Sequence, residues 1–157
     1  MRPELPTIMN GLAATLREKV APALEGDYAG GSVGMISIMI DMAAGSIDSA
    51  VDIRLREIES MRAIFAEAAS HISDASLSSD LVTAGTGQPP ADYKISTLNE
   101  IHDDLSRLLI RLHTWLDEQT DETSGQMVQR ILAYLLQSAA ERMPAMPDFS
   151  EGVAEES

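Results

Sequence analysis

The spacing of apolar residues constrains this chain more than any other feature of its sequence. In four separate segments the apolar positions recur at steps of three and four, which places them on one face of an α-helix. The clearest of these stripes runs through Leu98, Ile101, Leu105, Leu108, Leu112 and Trp115. We therefore predict an all-α fold, a helical bundle of four to five main helices with a long loop before the third amphipathic helix.

The first half of the chain contributes two or three of these helices. Residues 6–24 carry one apolar stripe, with Pro22 expected to kink or end the helix and Gly26 to finish the turn. Residues 33–44 are apolar on most sides, and no second strand-like run exists to pair with them, so they are predicted to form a central helix. Ser46 is the expected N-cap of a further helix that ends near residue 71. Whether residues 33–72 form one helix or two stays open.

The second half alternates loop and helix. Residues 73–95 are rich in Ser, Gly, Thr and Asp and contain Pro89-Pro90, which predicts a long loop. Ser96 is the expected N-cap of the third amphipathic helix, and residues 124–143 are predicted to form the last one. We predict one bundle domain over residues 1–143 and a disordered acidic tail over residues 144–157.

Charge and composition exclude several classes of function. The chain has 157 residues, and its 25 Asp and Glu against 11 Lys and Arg give a net charge of −14, which repels nucleic acid and anionic lipid. It has no Cys, so thiolate metal sites and a cysteine nucleophile are excluded. No secretory signal is visible, and the apolar stretch at residues 33–45 is shorter than the ~20 residues of a bilayer span. We expect a cytoplasmic protein that binds neither membrane nor nucleic acid.

The three histidines give no metal-site pattern. Di-iron bundles place Glu three residues before a ligand His, whereas Ala68, Asn99 and Ile110 stand three before His71, His102 and His113. The pair His102-Asp103 is similar to the start of the HD phosphohydrolase motif, but Asp104 and Leu105 replace the residues that commonly follow it. His102 and His113 would lie on the same flank of the stripe, about 16 Å apart, which is too far for a shared ion.

Asp41 is the one charged residue within the apolar stretch of residues 33–45. Buried, it would need a partner, although its small, polar neighbours favour a solvent-facing or helix-crossing edge. Gly30-Gly31-Ser32-Val33-Gly34 matches no phosphate-binding loop, and no calcium-loop or nucleophile-elbow motif occurs. We predict no catalytic residues, metal or cofactor. Asp41, His102 and His113 are the candidates for ligand contact.

The first 70 or so residues carry a loose family resemblance. One short motif consists of Val20, Pro22, Ala23, Leu24, Gly26 and Tyr28, and a second, Met61-Arg62-Ala63, follows one helix later. In these two motifs the chain resembles a group of small, acidic, helical bacterial proteins of unknown function. Members of that group are met beside acyl-CoA dehydrogenase and aminoglycoside-phosphotransferase-like genes. The resemblance implies an accessory role in acyl-CoA or alcohol metabolism and transfers no catalytic residue.

These observations predict a non-enzymatic interaction or accessory protein that forms a homodimer. Leu109, Ile110, Trp115 and Leu116 would widen the third amphipathic helix into a patch that a second copy covers. The alternative is a binder of an acyl or other apolar ligand, or an enzyme, with a pocket between residues 33–44 and the helix of residues 98–116. A weaker alternative is a metal-dependent phosphohydrolase of the HD type.

Overall fold

The structure, a computed structural model, describes residues 4–24 and 28–143. Of these residues, 84% are helical and none lies in a strand, which confirms the all-α prediction. The predicted tail at residues 144–157 and the turn at Gly26 lie outside the described residues. The helices are α1 (Leu5–Thr15, extended by Leu16–Val20 and Ala21–Ala23), α2 (Tyr28–Ala68), α3 (Ala75–Gly85), α4 (Ile95–Asp117) and α5 (Glu122–Arg142).

Helix α1 widens before its proline. Leu16–Val20 form a π-helical turn, in which the backbone N–H of Ala21 donates to the carbonyl of Leu16. Pro22 follows within the last helical turn, Ala21–Ala23, and it has no N–H to donate. A π-helical turn, whose hydrogen bonds join residues five apart, lets the helix continue although Pro22 cannot donate a hydrogen bond.

Helix α2 settles the question of one helix or two, because it runs from Tyr28 to Ala68 without interruption. Gly45 is accommodated inside it at the modest cost of an interior glycine, about 1 kcal/mol. The expected N-cap at Ser46 is therefore wrong. Its hydroxyl donates to the carbonyl of Met42 in the preceding turn, as serine does within a helix.

Helix α3 occupies part of the segment that was expected to be a loop, so the long loop over residues 73–95 is wrong in its first half. Asp74 caps the helix, because its side chain accepts from the backbone N–H groups of Ser76 and Leu77. Leu77 and Leu81, one turn apart, are buried in the core. Two anchoring leucines and a cap outweigh the polar composition.

Helices α4 and α5 follow their predicted stripes. The expected N-cap at Ser96 is wrong by two residues, because the cap position is Lys94 and no side chain fills it. The acidic run after residue 116 ends α4 at Asp117 and supplies Asp121 as the cap of α5, as the helix dipoles require.

The chain divides into two compact units, with the boundary after Ser49. The second unit, Ala50–Met143, contains a single hydrophobic core built from the end of α2 with α3, α4 and α5. Among the largest buried side chains of that core are Phe65, Ile58, Met61, Leu81, Leu98, Leu112 and Ile131. A helical bundle fits this unit, whereas a single bundle domain over residues 1–143 stays a prediction.

The first unit contains α1 and the beginning of α2. Its buried residues include Ala13, Ser37 and Ala44, which are small and allow helices to approach closely. Among the described residues one stretch, Tyr28–Ile47, is long and apolar enough to cross a membrane on length and composition alone, and 11% of it is buried. A core helix of a soluble protein, which is mostly buried, and a signal sequence near the N-terminus pass the same test. Because Met35, Ile36 and Met39 are exposed, the prediction that residues 33–44 form a central helix is wrong.

Candidate functional site

A groove of about 430 Å³ runs along the surface between α4 and α5. This volume is within the range of small-molecule sites. Helix α4 contributes His102, Ser106, Leu109, Ile110, His113 and Thr114, and α5 contributes Ile131, Tyr134, Leu135, Ser138, Ala139 and Arg142. The groove therefore lies wholly within the second unit.

The two helices are antiparallel, since only a short turn joins them and His102 near the start of α4 contacts Arg142 at the end of α5. Buried Leu109 and Ile131 form the floor of the groove, while Ile110 and Leu135 stand exposed at its edges. From His102 to Thr114 the groove is about 18 Å long, at 1.5 Å per residue. Its middle is apolar and its polar groups lie towards the ends.

The end at His102 is built on a buried carboxylate. Glu57, on α2, is 2% exposed. Its Oε1 accepts from Ser138 Oγ and from Arg142 Nε, both at 2.5 Å, and its Oε2 accepts from Arg54 Nη1 at 2.7 Å. Arg142 also donates from Nη2 to Nε2 of His102 at 3.0 Å. The carboxylate of Glu57 thus holds two guanidiniums and the hydroxyl of Ser138 in place at the polar end of the groove.

Burial on its own would raise the pKa of the Glu57 carboxyl. The hydrogen bonds from Arg142 and Ser138, with the charges of Arg142 and Arg54, outweigh burial and hold the pKa of Glu57 below its ordinary value of 4.5. Burial and the nearby Glu57 charge raise the pKa of Tyr134, so its phenol stays protonated at neutral pH. Glu57 is therefore a charged anchor and not a proton donor at neutral pH.

His102 is held neutral. Burial first, then the positive charge of Arg54, lowers its pKa below the ordinary 6.5, against the opposite effects of Glu57 and Asp103. A neutral imidazole can accept from Arg142 at Nε2 only when its proton is on Nδ1. The hydrogen bond from Arg142 and the lowered pKa therefore both indicate a neutral His102.

This protonation state decides whether a serine is activated. Ser106 Oγ lies 3.4 Å from Nδ1 of His102, and Glu57 Oε2 lies 3.5 Å from Nε2, an order that resembles a Ser-His-acid triad. A general base must face the serine with an unprotonated nitrogen. Here the unprotonated nitrogen, Nε2, faces Arg142 instead, so the arrangement favours binding over nucleophilic catalysis.

The opposite end of the groove contains His113 and Thr114. Nδ1 of His113 lies 3.8 Å from Oδ2 of Asp117, while its Nε2 is buried and has no hydrogen-bond partner. The hydroxyl of Thr114 donates to the carbonyl of Ile110 within the helix. His113 therefore keeps one ring nitrogen for a further partner.

The structure brings two of the three predicted contact residues together. His102 and His113 both line the groove, at opposite ends. Asp41 lies in the first unit, where it pairs with Arg17 across two helices, which agrees with a helix-crossing edge. Helix α5 forms the second wall of this groove, and the pocket expected between residues 33–44 and the helix of residues 98–116 stays a prediction. The side of α4 that carries His102 and His113 faces α5, the helix that follows it in sequence.

The predicted dimer patch on the third amphipathic helix is largely inside the core. Leu109 and Leu116 are buried, and Trp115 packs against the core. Only Ile110 of the four is exposed, at 65%. Helix α5 covers the others, since the short turn at residues 118–121 places it directly beside α4.

Sequence reasoning did not find Glu57, Tyr134, Ser138 or Arg142 as site residues. The spacing of Arg54 and Glu57, three residues apart, is typical of an ion pair on the outside of a helix; the pair forms, but Glu57 is buried. A signal was present, because Glu57 stands four residues before Met61 and seven before Ile64, both buried, and therefore shares their face.

No metal centre is formed by the residues that the structure describes. Within the ranges 4–24 and 28–143, no three His, Asp or Glu side chains come together as a metal ion would require. Compared with known proteins, the chain matches no protein-family model, no curated protein and no solved structure. The resemblance to small acidic bacterial proteins stays a prediction.

Proposed function

We propose that this protein is a cytoplasmic, non-enzymatic interaction protein that works as a homodimer through the beginning of α2. The observation that carries the proposal is an uncovered apolar face in the first unit. Met35, Ile36 and Met39 are 60%, 50% and 63% exposed. Apolar patches of this kind on soluble proteins mark interaction sites.

The face is continuous along the helix. At 100° per residue, Tyr28, Ser32, Met35, Ile36 and Met39 lie within one side of α2, and all five are exposed. Asp41, the one charged residue in the sequence between positions 28 and 47, lies on the opposite side and pairs with Arg17. We name these five residues the α2 face.

A second copy fits the α2 face better than a lipid bilayer does. The residues that flank Tyr28–Ile47 in sequence are acidic, with Glu25 and Asp27 before it and Asp48 and Asp52 after it. These acids would meet the anionic surface of a bilayer, and the charged Asp41 within the stretch would be costly in its hydrocarbon core. A twofold dimer needs no charged flank, because the same apolar surface serves both partners and salt screens the repulsion of two acidic chains beyond about 8 Å.

Sedimentation equilibrium of the full chain tests the proposal. We expect a dimer for the wild type and a monomer for Met39→Glu, whereas Val82→Glu, an equally drastic change at an exposed residue of α3, should stay dimeric. A monomeric wild type contradicts the proposal. Dissociation by Ile110→Asp but not by Met39→Glu would also contradict it, because the interface would then lie on α4.

A second candidate function is supported by the groove between α4 and α5. Its apolar floor and polar ends suit a small ligand with an acyl or other apolar chain. The phosphohydrolase alternative has no comparable support within the described part of the chain, since no metal cluster occurs there. Binding of an apolar ligand by the purified protein, measured by calorimetry, tests this candidate separately from the dimer.

A further inference from the structure

We infer that the groove between α4 and α5 binds an amphipathic monoanion, with its carboxylate head at Arg142 and its apolar chain along Ile110 and Leu135. The inference rests on the ligand-binding candidate above and is independent of the dimer. It adds the sign of the charge that the site selects and the direction in which the ligand lies.

The charges of the residues that line the groove favour an anion. The chain has 25 Asp and Glu, yet not one of the residues that line the groove is acidic. The positive group among them is Arg142, and His102 beside it is held neutral. In a chain of net charge −14, a surface groove without acids and with a guanidinium at one end is complementary to an anion.

Arg142 shares the carboxylate of Glu57 with a second guanidinium. Glu57 is paired with Arg54 through Oε2 as well as with Arg142 through Oε1. Two guanidiniums therefore face one buried carboxylate, and the other acid at this end, Asp103, whose Oδ1 lies 3.5 Å from Nδ1 of His102, is not part of the groove lining. The Arg142 side chain is 45% exposed, so its positive charge is accessible to a ligand.

The guanidinium of Arg142 is held in one orientation. Nε and Nη2 of Arg142 are used by Glu57 and His102, which fixes the plane of the guanidinium. Its Nη1 has no hydrogen-bond partner within the described part of the chain, so it is available to a carboxylate oxygen. A guanidinium held in this way loses little freedom when it binds an anion.

The apolar part of the groove suits the alkyl chain of the ligand. Beyond the polar end, Leu109, Ile110, Ile131, Leu135 and Ala139 line the groove. An unbranched alkyl chain on these residues loses contact with water along its length. Each added methylene should therefore tighten binding about fourfold until the groove is filled.

Calorimetric titration of the wild type with hexanoate, octanoate and decanoate tests the inference, at physiological salt so that the net charge of the protein is screened. We expect affinity to rise along the series. Decanol, which has a similar chain and no charge, should bind about tenfold more weakly than decanoate. Arg142→Gln should remove this difference, and Arg142→Lys should keep most of it.

Two further variants keep the test decisive if Arg142→Gln disturbs the fold. Ala139→Trp fills the groove from an exposed position and should abolish binding, while Leu136→Trp, on α5 but outside the groove, should not. Equal binding of decanoate and decanol to the wild type overturns the inference but leaves the ligand-binding candidate intact. Absence of binding by every probe overturns both.

Discussion

Arg142 Nε donates to Glu57 Oε1 at 2.5 Å, and this bond joins residues 85 positions apart in the sequence. It connects the last turn of α5 to a buried carboxylate on α2, within the second unit. The same guanidinium contacts His102 at the polar end of the groove. One side chain therefore contributes both to the stability of this unit and to the geometry of the candidate site.

Replacing Arg142 by Met should destabilise the protein. Glu57 loses one charged hydrogen bond but keeps those from Arg54 and Ser138, so we expect the free energy of unfolding to fall by about 1.5 kcal/mol. Arg111→Met is the matched control, because Arg111 pairs with the half-exposed Asp80 and should cost less than about 1 kcal/mol. Urea unfolding of both variants measures the difference. Equal losses would show that the buried carboxylate does not depend on Arg142.

Stability should fall as the pH drops below 6.5, because of His102. The unfolded chain binds a proton at the ordinary pKa of 6.5, whereas burial and Arg54 lower the pKa of the folded His102, so the unfolded state takes up protons first. Once His102 is protonated, its Nε2 can no longer accept the hydrogen bond from Arg142. His102→Gln can still accept a hydrogen bond from Arg142. In this variant the free energy of unfolding should depend less on pH between about pH 7 and about pH 5. An unchanged slope in this variant would show that His102 is not the responsible group.

Glu57 acts in a lower pH range. Its folded pKa lies below the ordinary 4.5, so the stability that it contributes is present above that value and is lost as the pH falls through the folded pKa. In Glu57→Gln, acid unfolding below pH 4.5 should be less steep than in the wild type. Circular dichroism during acid titration measures this, and identical acid transitions would contradict the assignment.

Two glycines should respond in opposite directions to alanine. A Cβ on Gly85 would meet the backbone N of Ala66 at 3.1 Å and its Cα at 3.2 Å, so the backbone of α2 would have to shift by a few tenths of an ångström to admit a methyl group. Gly125 in α5 has open space around it. Gly85→Ala should lower the melting temperature, and Gly125→Ala should raise the stability by about 0.5–1 kcal/mol. An increase for Gly85→Ala would show that this contact relaxes easily.

The elements that sequence reasoning found are those whose apolar spacing is strict. The stripe from Leu98 to Trp115 predicts α4 because a single face carries its apolar residues, and the acids after it mark its end. Helix α3 was missed because Ser, Thr and Gly dominate its composition, although Asp74, Leu77 and Leu81 carry its cap and its anchors. Local composition is a weak guide when two leucines and a cap supply the tertiary contacts.

The site was harder to predict than the fold. His102 and His113 could be placed on one flank of α4 from their spacing. The partner wall could not, because nothing in the periodicity of α4 says which helix packs beside it. Glu57 and Arg142 meet across 85 positions, and such a pair has no local signature. Only the position of Glu57 on the face of Met61 indicated that it is buried.

Cross-linking through engineered cysteines tests the proposed function most directly, because the chain has no cysteine of its own. Ser32→Cys, Met35→Cys and Met39→Cys place single thiols along the α2 face, and Ser79→Cys places one at an exposed position on α3. Under mild oxidation, we expect at least one variant of the α2 face to form a disulfide-linked dimer rapidly and Ser79→Cys to stay monomeric. Equally slow cross-linking of all four variants would contradict a dimer built on the α2 face.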